Sequence, residues 1–219
     1  MMREVDVAVI GAGPAGMAAA TVAAKCGLQC VILDEQATPG GQIYRAVSGG
    51  GQARGDILGQ DYLDGARLVD DLLASGAERV DRATVWNVEA DGTVTWSHRG
   101  RAQQVWARRI IIATGTLERA VPIPGWTLPG VMTVGAGQIL LKQSGVVPRR
   151  AVIVGCGPLI YLLAQKLIRA GSPPIALVET QRVSDMGHSI KQLGGAIRGW
   201  RNLSKVMAMR REIRRAGVR

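Results

Sequence analysis

The chain starts with a short apolar run, a glycine-rich turn and an alanine-rich stretch, in that order. The run Val5 to Ile10 predicts a buried parallel strand, and the residues from Met17 to Lys25 have the character of a helix. Gly27 is expected to end this helix, and Val31 to Leu33 predict a second apolar strand soon after it. Together these elements predict a β-α-β unit of the Rossmann type.

The middle of the chain changes from a helical pattern to an alternating one. Leucines at near-helical spacing predict a helix over Asp61 to Ala74. Apolar and polar residues then alternate, and turn signals at Asp91-Gly92 and Arg99-Gly100 predict a three-stranded antiparallel meander. Its strands are expected at Val80 to Val88, Val94 to His98 and Gln104 to Ala107. Ile110 to Gly115 predict another buried strand, which ends in a glycine turn.

The second half of the chain repeats the first pattern. Prolines and glycines mark residues 122–150 as a connector. Ala151 to Val154 predict the first strand of a second β-α-β unit, followed by a helix over Leu159 to Arg169 and a strand over Ile175 to Val178. No further strand is predicted, so this second unit is expected to be incomplete. The expected organisation is a first domain over residues 1–121, the connector, and a partial second domain over 151–219.

The composition agrees with an α/β protein. The 219 residues are 47% hydrophobic and include 29 Gly and no Phe. No apolar run approaches the roughly 18 to 20 residues of a membrane span and no signal peptide precedes the first strand, so a cytoplasmic protein without a transmembrane segment is expected. Cys26, Cys30 and Cys156 provide neither a disulfide framework nor four metal ligands, so no metal site is expected. Cys26 and Cys30 are expected to be buried.

The formal net charge of +10 is concentrated at one end of the chain. Residues 182–219 hold ten of the 27 Lys and Arg residues and only two of the 17 acidic ones. This segment is expected to form the solvated face of a terminal helix. An acidic protein partner is the alternative, and binding of nucleic acid is not expected.

The glycine-rich turn GAGPAG carries the main chemical signal. Gly11 permits a tight turn, Gly13 lets the backbone approach a pyrophosphate, and Gly16 allows the helix to pack on the strand. Phosphates would then lie against the free N–H groups at the start of the helix. Asp34, or Glu35 if the strand ends one residue later, could accept hydrogen bonds from both ribose hydroxyls and would repel a 2′-phosphate. A glycine-rich turn without a ligand is the alternative.

A second turn of this kind departs from the pattern. Gly155, Gly157 and Pro158 follow the strand of the second unit, but Ile160 stands where the third glycine belongs. A β-branched side chain there should hold the helix away from the strand and alter the phosphate-binding turn. Glu179 is placed as a ribose-binding acid. This region therefore binds NAD or another adenine nucleotide, or it is an empty structural domain.

Four sequence strings carry a resemblance to a known family. They are GAGPAG, the PGGQIYR of Pro39 to Arg45, the IIIATGT of Ile110 to Thr116 and the PIPGWTLPGVMT of Pro122 to Thr133. Because of these strings, the chain resembles, over nearly its whole length, the flavoproteins with two dinucleotide-binding domains that are related to thioredoxin reductase. It is most similar to the large subunits of opine oxidase, hydrogen cyanide synthase and hydroxyproline or proline dehydrogenase complexes.

The resemblance implies FAD as the cofactor. The fold it implies is α/β, with a Rossmann-like FAD-binding domain of a parallel sheet plus a three-stranded antiparallel meander, followed by an incomplete second Rossmann-like domain. The ADP half would be held by Gly11, Gly13, Pro14, Ala15, Gly16 and Asp34 or Glu35. Gly41 and Gln42 would lie against the pyrophosphate and ribityl chain, Ala113, Thr114 and Gly115 would close over that chain, and Val85 would offer backbone hydrogen bonds to adenine.

The function implied by the resemblance is that of an oxidoreductase subunit. In a multi-subunit dehydrogenase it would pass on electrons from the oxidation of an opine, imino acid or glycine. Its partners would be an iron–sulfur subunit or domain and a substrate-oxidising flavoprotein subunit. Relatives continue beyond the point where this chain ends, so a truncated chain with impaired activity is expected. No catalytic role is assigned to His98, which falls in the predicted meander turn, or to His188, which falls in an irregular stretch. Hydride transfer to flavin requires mainly positioning of the donor carbon, so the lack of a catalytic triad does not argue against an oxidoreductase. A stand-alone NADH-dependent flavin reductase and a non-enzymatic assembly module are the alternatives.

Overall fold

The computed structural model describes residues 2–181 and 200–219. His188 and the first part of the predicted basic segment lie outside these residues. The chain divides into two compact units. Unit 1 consists of residues 1–117 and 142–144, and unit 2 consists of residues 118–141 and 145–219.

Unit 1 contains a six-stranded mixed sheet. The strands are Arg3–Ile10 (β1), Cys30–Leu33 (β2), Glu78–Val80 (β3), Thr84–Val88 (β4), Thr93–His98 (β5) and Arg101–Ile112 (β6). Their order in the sheet is β3-β2-β1-β6-β5-β4. The pairs from β3 to β6 are parallel, whereas β6-β5 and β5-β4 are antiparallel. The predicted combination of a parallel sheet with an antiparallel meander is confirmed.

Strand β6 joins the parallel part of the sheet to the antiparallel meander. The sequence predicts two separate strands here, over residues 104–107 and 110–115. The 12 residues of β6 run without interruption and pair with both β5 and β1. The adjacent exposed Arg108 and Arg109 hide this continuity in the sequence, but Arg109 is in register with Val7 of β1. Pairing with a central strand therefore overrides the local polar pattern.

The prediction of one strand over residues 80–88 is wrong, because the structure has two strands there, β3 and β4. Arg82 lies between them with a φ of 52°, a left-handed conformation that interrupts an extended strand. The N–H of Arg82 donates to the Gln36 carbonyl at 3.2 Å, and the N–H of Ala83 donates to the Asp34 carbonyl at 2.9 Å. The break thus turns the chain around the end of β2.

The helices of unit 1 are short, except for the one after the first turn. They are Pro14–Lys25 (α1), Gly55–Leu58 (α2), Gln60–Leu63 (α3) and Gly65–Ala74 (α4). Helix α1 begins earlier than predicted because Pro14, with its preset φ, occupies the first helical turn. The helix predicted over residues 61–74 is divided at Asp64, next to Gly65, where a Cβ would overlap the ring of Tyr44.

Unit 2 is built around a two-stranded parallel sheet in the described part of the chain. Its elements are the helix Val134–Ser144 (α5), whose residues 142–144 belong to unit 1, the strand Val152–Gly155 (β7), the helix Pro158–Arg169 (α6), the strand Ala176–Glu179 (β8) and the helix Trp200–Arg215 (α7). Helix α7 packs on α6, and Ile213 joins the core formed around Leu167 and Ala164. Glu212 of α7 accepts hydrogen bonds from Gln165 and Arg169 of α6.

The outer side of α7 is partly apolar. Trp200, Leu203 and Met207 are 65%, 56% and 50% exposed, so an apolar row lies at the surface of this helix. Among the helices of residues 2–181 and 200–219, none combines the length and the apolar character needed to cross a membrane.

Candidate functional site

The first glycine-rich turn lies between the end of β1 and the start of α1. A Cβ at Gly11 would overlap the carbonyl oxygen of Ala113, and a Cβ at Gly16 would overlap the carbonyl oxygen of Gly11. Gly11 also has a φ of 101°, which side chains disfavour. These two glycines are therefore required by the packing of the turn itself.

Gly13 differs from these two glycines, because the fold does not require its lack of a side chain. Its backbone is extended, with φ −73° and ψ −178°, and an added Cβ would lie 3.9 Å from the Cα of Gly41. No side chain caps the helix at Gly13, and Pro14 and Ala15 begin α1 directly after it. The turn thus presents helix-start N–H groups beside a position with room for a ligand, which fits an anion such as a diphosphate.

Asp34 connects the end of β2 to this turn. One carboxylate oxygen accepts the N–H of Ala12 at 2.5 Å, and the other accepts the N–H of Gln36 at 2.7 Å. Strand β2 ends at Leu33, and Glu35 is exposed. Of the two predicted acids, Asp34 therefore lies at the turn. Each of its oxygens has a second lone pair that remains available to a hydroxyl group.

The segment from Gly40 to Gln42 crosses the turn from the other side. The N–H of Gly40 donates to the Ala12 carbonyl at 2.8 Å, and a Cβ at Gly41 would lie 2.8 Å from the Cα of Gly13. Both glycines have positive φ angles, 129° for Gly40 and 58° for Gly41. This close backbone approach requires glycine at both positions.

The segment after β6 also contacts the turn. Ala113 and Thr114 lie against Gly11, where an added Cβ would be 3.2 Å from the Thr114 Cα. The amide of Gln42 donates to the Thr116 carbonyl at 3.1 Å. Gly115, with a φ of 76°, has open space where a Cβ would project. The structure thus brings the three predicted segments after β1, β2 and β6 together.

Val85 lies on β4, the strand at one edge of the six-stranded sheet. It is partly buried on β4, pairs with Trp96 and packs against the core. Ala83, two residues before it, donates to the carbonyl of Asp34. The strand of Val85 therefore starts beside the predicted ribose-binding acid, while the side chain of Val85 contributes to the core.

Lys142 is a site residue that the sequence interpretation missed. This lysine of α5 is only 5% exposed, and its ammonium donates to the carbonyls of Gln42 at 2.9 Å and Ile43 at 2.8 Å. The ammonium also lies 5.9 Å from the ring centroid of Tyr62. The only signal in the sequence is a charged residue directly after the apolar run Ile139 to Leu141, which does not reveal a partner 100 residues away.

The second glycine-rich turn has a different geometry. Gly157, at the start of α6, has a φ of 83°, whereas Gly13 has −73°. Ile160 is 3% exposed, and its side chain lies 3.1 Å from where a Cβ of Gly155 would be. The close approach made by Gly16 is not available to a residue with a side chain. Pro158 begins α6 as Pro14 begins α1.

The acid of this second turn already has partners. Glu179 accepts a hydrogen bond from Arg210 of α7 at 2.9 Å, and the Arg210 guanidinium lies 5.3 Å from the ring centroid of Tyr161. Burial, and then a hydrogen bond with Glu179, raise the pKa of the Tyr161 hydroxyl. A nucleotide ribose at Glu179 would have to compete with these contacts.

Cys156 lies in the second glycine-rich turn, whereas Cys26 and Cys30 lie outside both glycine-rich turns. Cys30 is buried as predicted, but Cys26 is exposed because it is the residue that caps the end of α1. Residues 2–181 and 200–219 contain no group of three or more His, Cys, Asp or Glu side chains arranged to hold a metal ion.

Known proteins resemble the chain along most of its length. Residues 5–193 match the family described as pyridine nucleotide-disulphide oxidoreductase. An opine oxidase subunit from Agrobacterium tumefaciens (strain Ach5) is 43% identical over 197 residues, which are 86% of this chain and 39% of that protein. Hydrogen cyanide synthase subunit HcnB of Pseudomonas protegens is 36% identical over 168 residues, which are 74% of this chain and 36% of that protein. The chain thus spans less than half the length of these relatives.

Solved structures share the fold. L-Proline dehydrogenase from P. horikoshii superposes with a TM-score of 0.64 at 21% identity, covering 82% of this chain and 36% of that one. The mostly parallel sheet with its glycine-rich turn is the Rossmann-like FAD-binding fold. The chain belongs to the pyridine nucleotide-disulphide oxidoreductase family.

Proposed function

We propose that unit 1 binds the dinucleotide of FAD across the turn between β1 and α1. The observation that carries this proposal is that Asp34, Gly41 and the segment after β6 all contact this one turn, where Gly13 could carry a Cβ without overlap. The diphosphate would lie against the N–H groups at the start of α1, and the adenosine ribose would bind the carboxylate of Asp34. Val85 and its strand would lie beside adenine, and Gly115 would adjoin the ribityl chain.

In this proposal the residues of the chain bind and orient the cofactor. The N–H groups after Gly13 neutralise phosphate charge through the positive end of the α1 dipole. Asp34 accepts hydrogen bonds from ribose hydroxyls, and its charge disfavours a phosphorylated ribose. The bond from Gln42 to Thr116 keeps the two loops beside the ribityl chain at a constant separation. Bound FAD would supply an isoalloxazine ring that accepts a hydride.

We further propose that the whole enzyme oxidises an amine or amino acid. The carbon next to nitrogen would lose a hydride to a flavin of the substrate-oxidising subunit, and the nitrogen would lose a proton to solvent, which leaves an imine. The names of the similar proteins, an opine oxidase, a hydrogen cyanide synthase and an L-proline dehydrogenase, support this class of substrate. The proposed partners are an iron–sulfur subunit or domain and a flavoprotein subunit that oxidises the substrate. The names of two similar proteins, both of them subunits, support partner subunits in general.

An equilibrium titration with FAD and FMN tests the cofactor assignment. The purified 219-residue chain should bind FAD saturably with one site, as followed by quenching of flavin fluorescence. FMN, which lacks the AMP moiety and therefore the diphosphate linkage, the adenosine ribose and adenine, should bind at least about 100-fold more weakly, since the contacts to that half are lost. The assignment is wrong if FAD does not saturate or if FMN binds as tightly as FAD.

NADH-dependent flavin reduction is the alternative activity, with NAD or another adenine nucleotide at the second turn. The contact of Arg210 with Glu179 and the side chain of Ile160 argue against tight binding there. Anaerobic addition of NADH distinguishes the two activities. Rapid bleaching of the bound flavin would support the reductase, whereas slow bleaching would favour the electron-passing subunit of an amine-oxidising enzyme.

The exposed row of Trp200, Leu203 and Met207 favours a second role in assembly. Apolar side chains at this spacing on a helix commonly cover a partner surface. We propose that this row of α7 contacts a partner subunit. Replacing Leu203 with Glu should then abolish co-purification with the co-expressed partner and leave FAD affinity unchanged.

A further inference from the structure

The buried amine of Lys142 holds two successive peptide groups of the loop beside the fingerprint turn. Its hydrogen bonds to the carbonyls of Gln42 and Ile43 measure 2.9 Å and 2.8 Å. The N–H of Tyr44 donates to the Gly40 carbonyl at 3.0 Å, which closes a turn over the same residues. The loop conformation is therefore determined by contacts on both sides of Ile43.

Burial of a charged amine costs free energy unless hydrogen bonds or an opposite charge compensate for the lost hydration. A methionine of similar length would fill the same space without the loss of ammonium hydration. The carbonyls of Gln42 and Ile43 would then lose a charged donor, which binds more strongly than a neutral one. The structure thus holds a hydrogen-bonding amine at a buried position of the fold.

The two carbonyls also orient the rest of the loop. In a trans peptide the N–H points away from the carbonyl, and the chain has no cis bonds in its described residues. With the Gln42 carbonyl directed at Lys142, the N–H of Ile43 points away from the amine. The preceding Gly41 lies against Gly13, and the side chain of Gln42 binds Thr116. Lys142 therefore holds the loop that lies against Gly13.

We propose that Lys142 is a positioning residue for FAD. It holds the Gly40 to Ile43 loop in the conformation that receives the diphosphate and the ribityl chain, and its positive charge favours an anionic ligand nearby. This inference rests on the proposed FAD site.

The test compares three variants of the full chain by FAD titration. Lys142→Met removes the charge and the donors, Lys142→Arg keeps both, and Lys166→Met is the matched control, since Lys166 is a buried lysine of unit 2 that is 6% exposed. Lys142→Met should raise the Kd for FAD by about tenfold or more, as expected for loss of a charged hydrogen-bonding group. Lys142→Arg should remain within about threefold of the wild type, and Lys166→Met should bind FAD like the wild type.

Hydrogen exchange in the ligand-free protein gives a second measurement. Amides of residues 40–45 should exchange faster in Lys142→Met and not in Lys142→Arg, because only the first variant releases the loop. If Lys142→Met does not fold, Lys142→Gln replaces it and should bind FAD about tenfold more weakly than Lys142→Arg.

The outcomes separate this inference from the cofactor assignment. Failure of the wild type to bind FAD would overturn both. Wild-type binding with an equally tight Lys142→Met variant would overturn the role of Lys142 alone. Equal weakening by Lys142→Met and Lys166→Met would also overturn it, because a general loss of stability would then explain the effect.

Discussion

Asp34 accepts the backbone N–H of Ala12, so the end of β2 is tied directly to the turn that precedes α1. The two atoms are 2.5 Å apart. The second carboxylate oxygen accepts the N–H of Gln36 at 2.7 Å, which also orients the loop that leaves β2. One side chain therefore shapes the glycine-rich turn and remains at its edge with acceptor capacity for a ribose.

Asp34→Asn should weaken both the fold and the site. The amide group would place an N–H where an oxygen now accepts a backbone N–H, so one hydrogen bond is lost. We expect a loss of about 1 to 2 kcal/mol in the free energy of unfolding and about a tenfold rise in the Kd for FAD. Urea denaturation of the ligand-free chain and FAD titration measure the two effects.

Glu35→Gln is the control for this prediction. Glu35 neighbours Asp34 in sequence but is exposed, and its carboxylate accepts only a 3.2 Å hydrogen bond from Gln36 among the contacts of the described residues. Both measurements should remain at wild-type values. An equal effect of the two substitutions would show that Asp34 has no special position at the turn.

Arg210→Met should release Glu179 at the second turn. The substitution removes the guanidinium that binds the carboxylate at 2.9 Å, so a ribose hydroxyl would no longer compete with it. We expect the Kd for NADH to fall by up to about tenfold, measured by NADH fluorescence. Arg214→Met, on an exposed position of the same helix, is the control and should leave the Kd unchanged. Tight NADH binding by the wild type, with no change in the variant, would contradict this view of Arg210.

The main elements of unit 1 could be predicted from the sequence because their signals are local. An apolar run, a glycine turn and an alanine-rich segment lead directly to β1 and α1. The continuity of β6 could not be predicted, because Arg108 and Arg109 interrupt the apolar pattern, whereas the pairing with β1 on both sides of these arginines keeps the strand extended. Strand boundaries that depend on a distant neighbour are not encoded locally.

The candidate site shows the same division. Asp34 was one of two candidates in the sequence, and the end of β2 at Leu33 selects it. Gly41 was recognised through the resemblance, and its contact with Gly13 gives a physical reason for the glycine. Lys142 was missed because its partners are backbone carbonyls 99 and 100 residues away, which no side-chain pattern reveals.

Glu212 should make the stability of unit 2 depend on pH in the acid range. The hydrogen bond from Arg169 lowers the pKa of Glu212, with a further contribution from Gln165, while burial opposes the shift. Because the folded pKa lies below the unfolded one, the stabilisation is complete above the unfolded pKa and is lost as the pH falls through the folded pKa. The pair is about one-third exposed, so it should contribute less than about 1 kcal/mol.

Comparison with Glu212→Gln measures this contribution. Urea midpoints of the two proteins should differ most above about pH 5 and converge as the pH falls to about 3. Other carboxylates, such as Glu78, also titrate in this range, but they are common to both proteins. A difference that stays constant or grows in acid would contradict the assignment.

Gly13→Ala provides the most direct measurement of the central claim, which is that a diphosphate occupies the space beside this residue. The fold accepts a Cβ there, since its nearest neighbour would be the Gly41 Cα at 3.9 Å. The ligand-free variant should therefore fold, with a free energy of unfolding no more than about 1 kcal/mol below that of the wild type, because alanine is a poorer N-cap residue than glycine. Its Kd for FAD should rise by about tenfold or more, because the methyl group occupies the path of the phosphates. An unchanged Kd for FAD in a normally folded variant would show that no diphosphate binds at this turn.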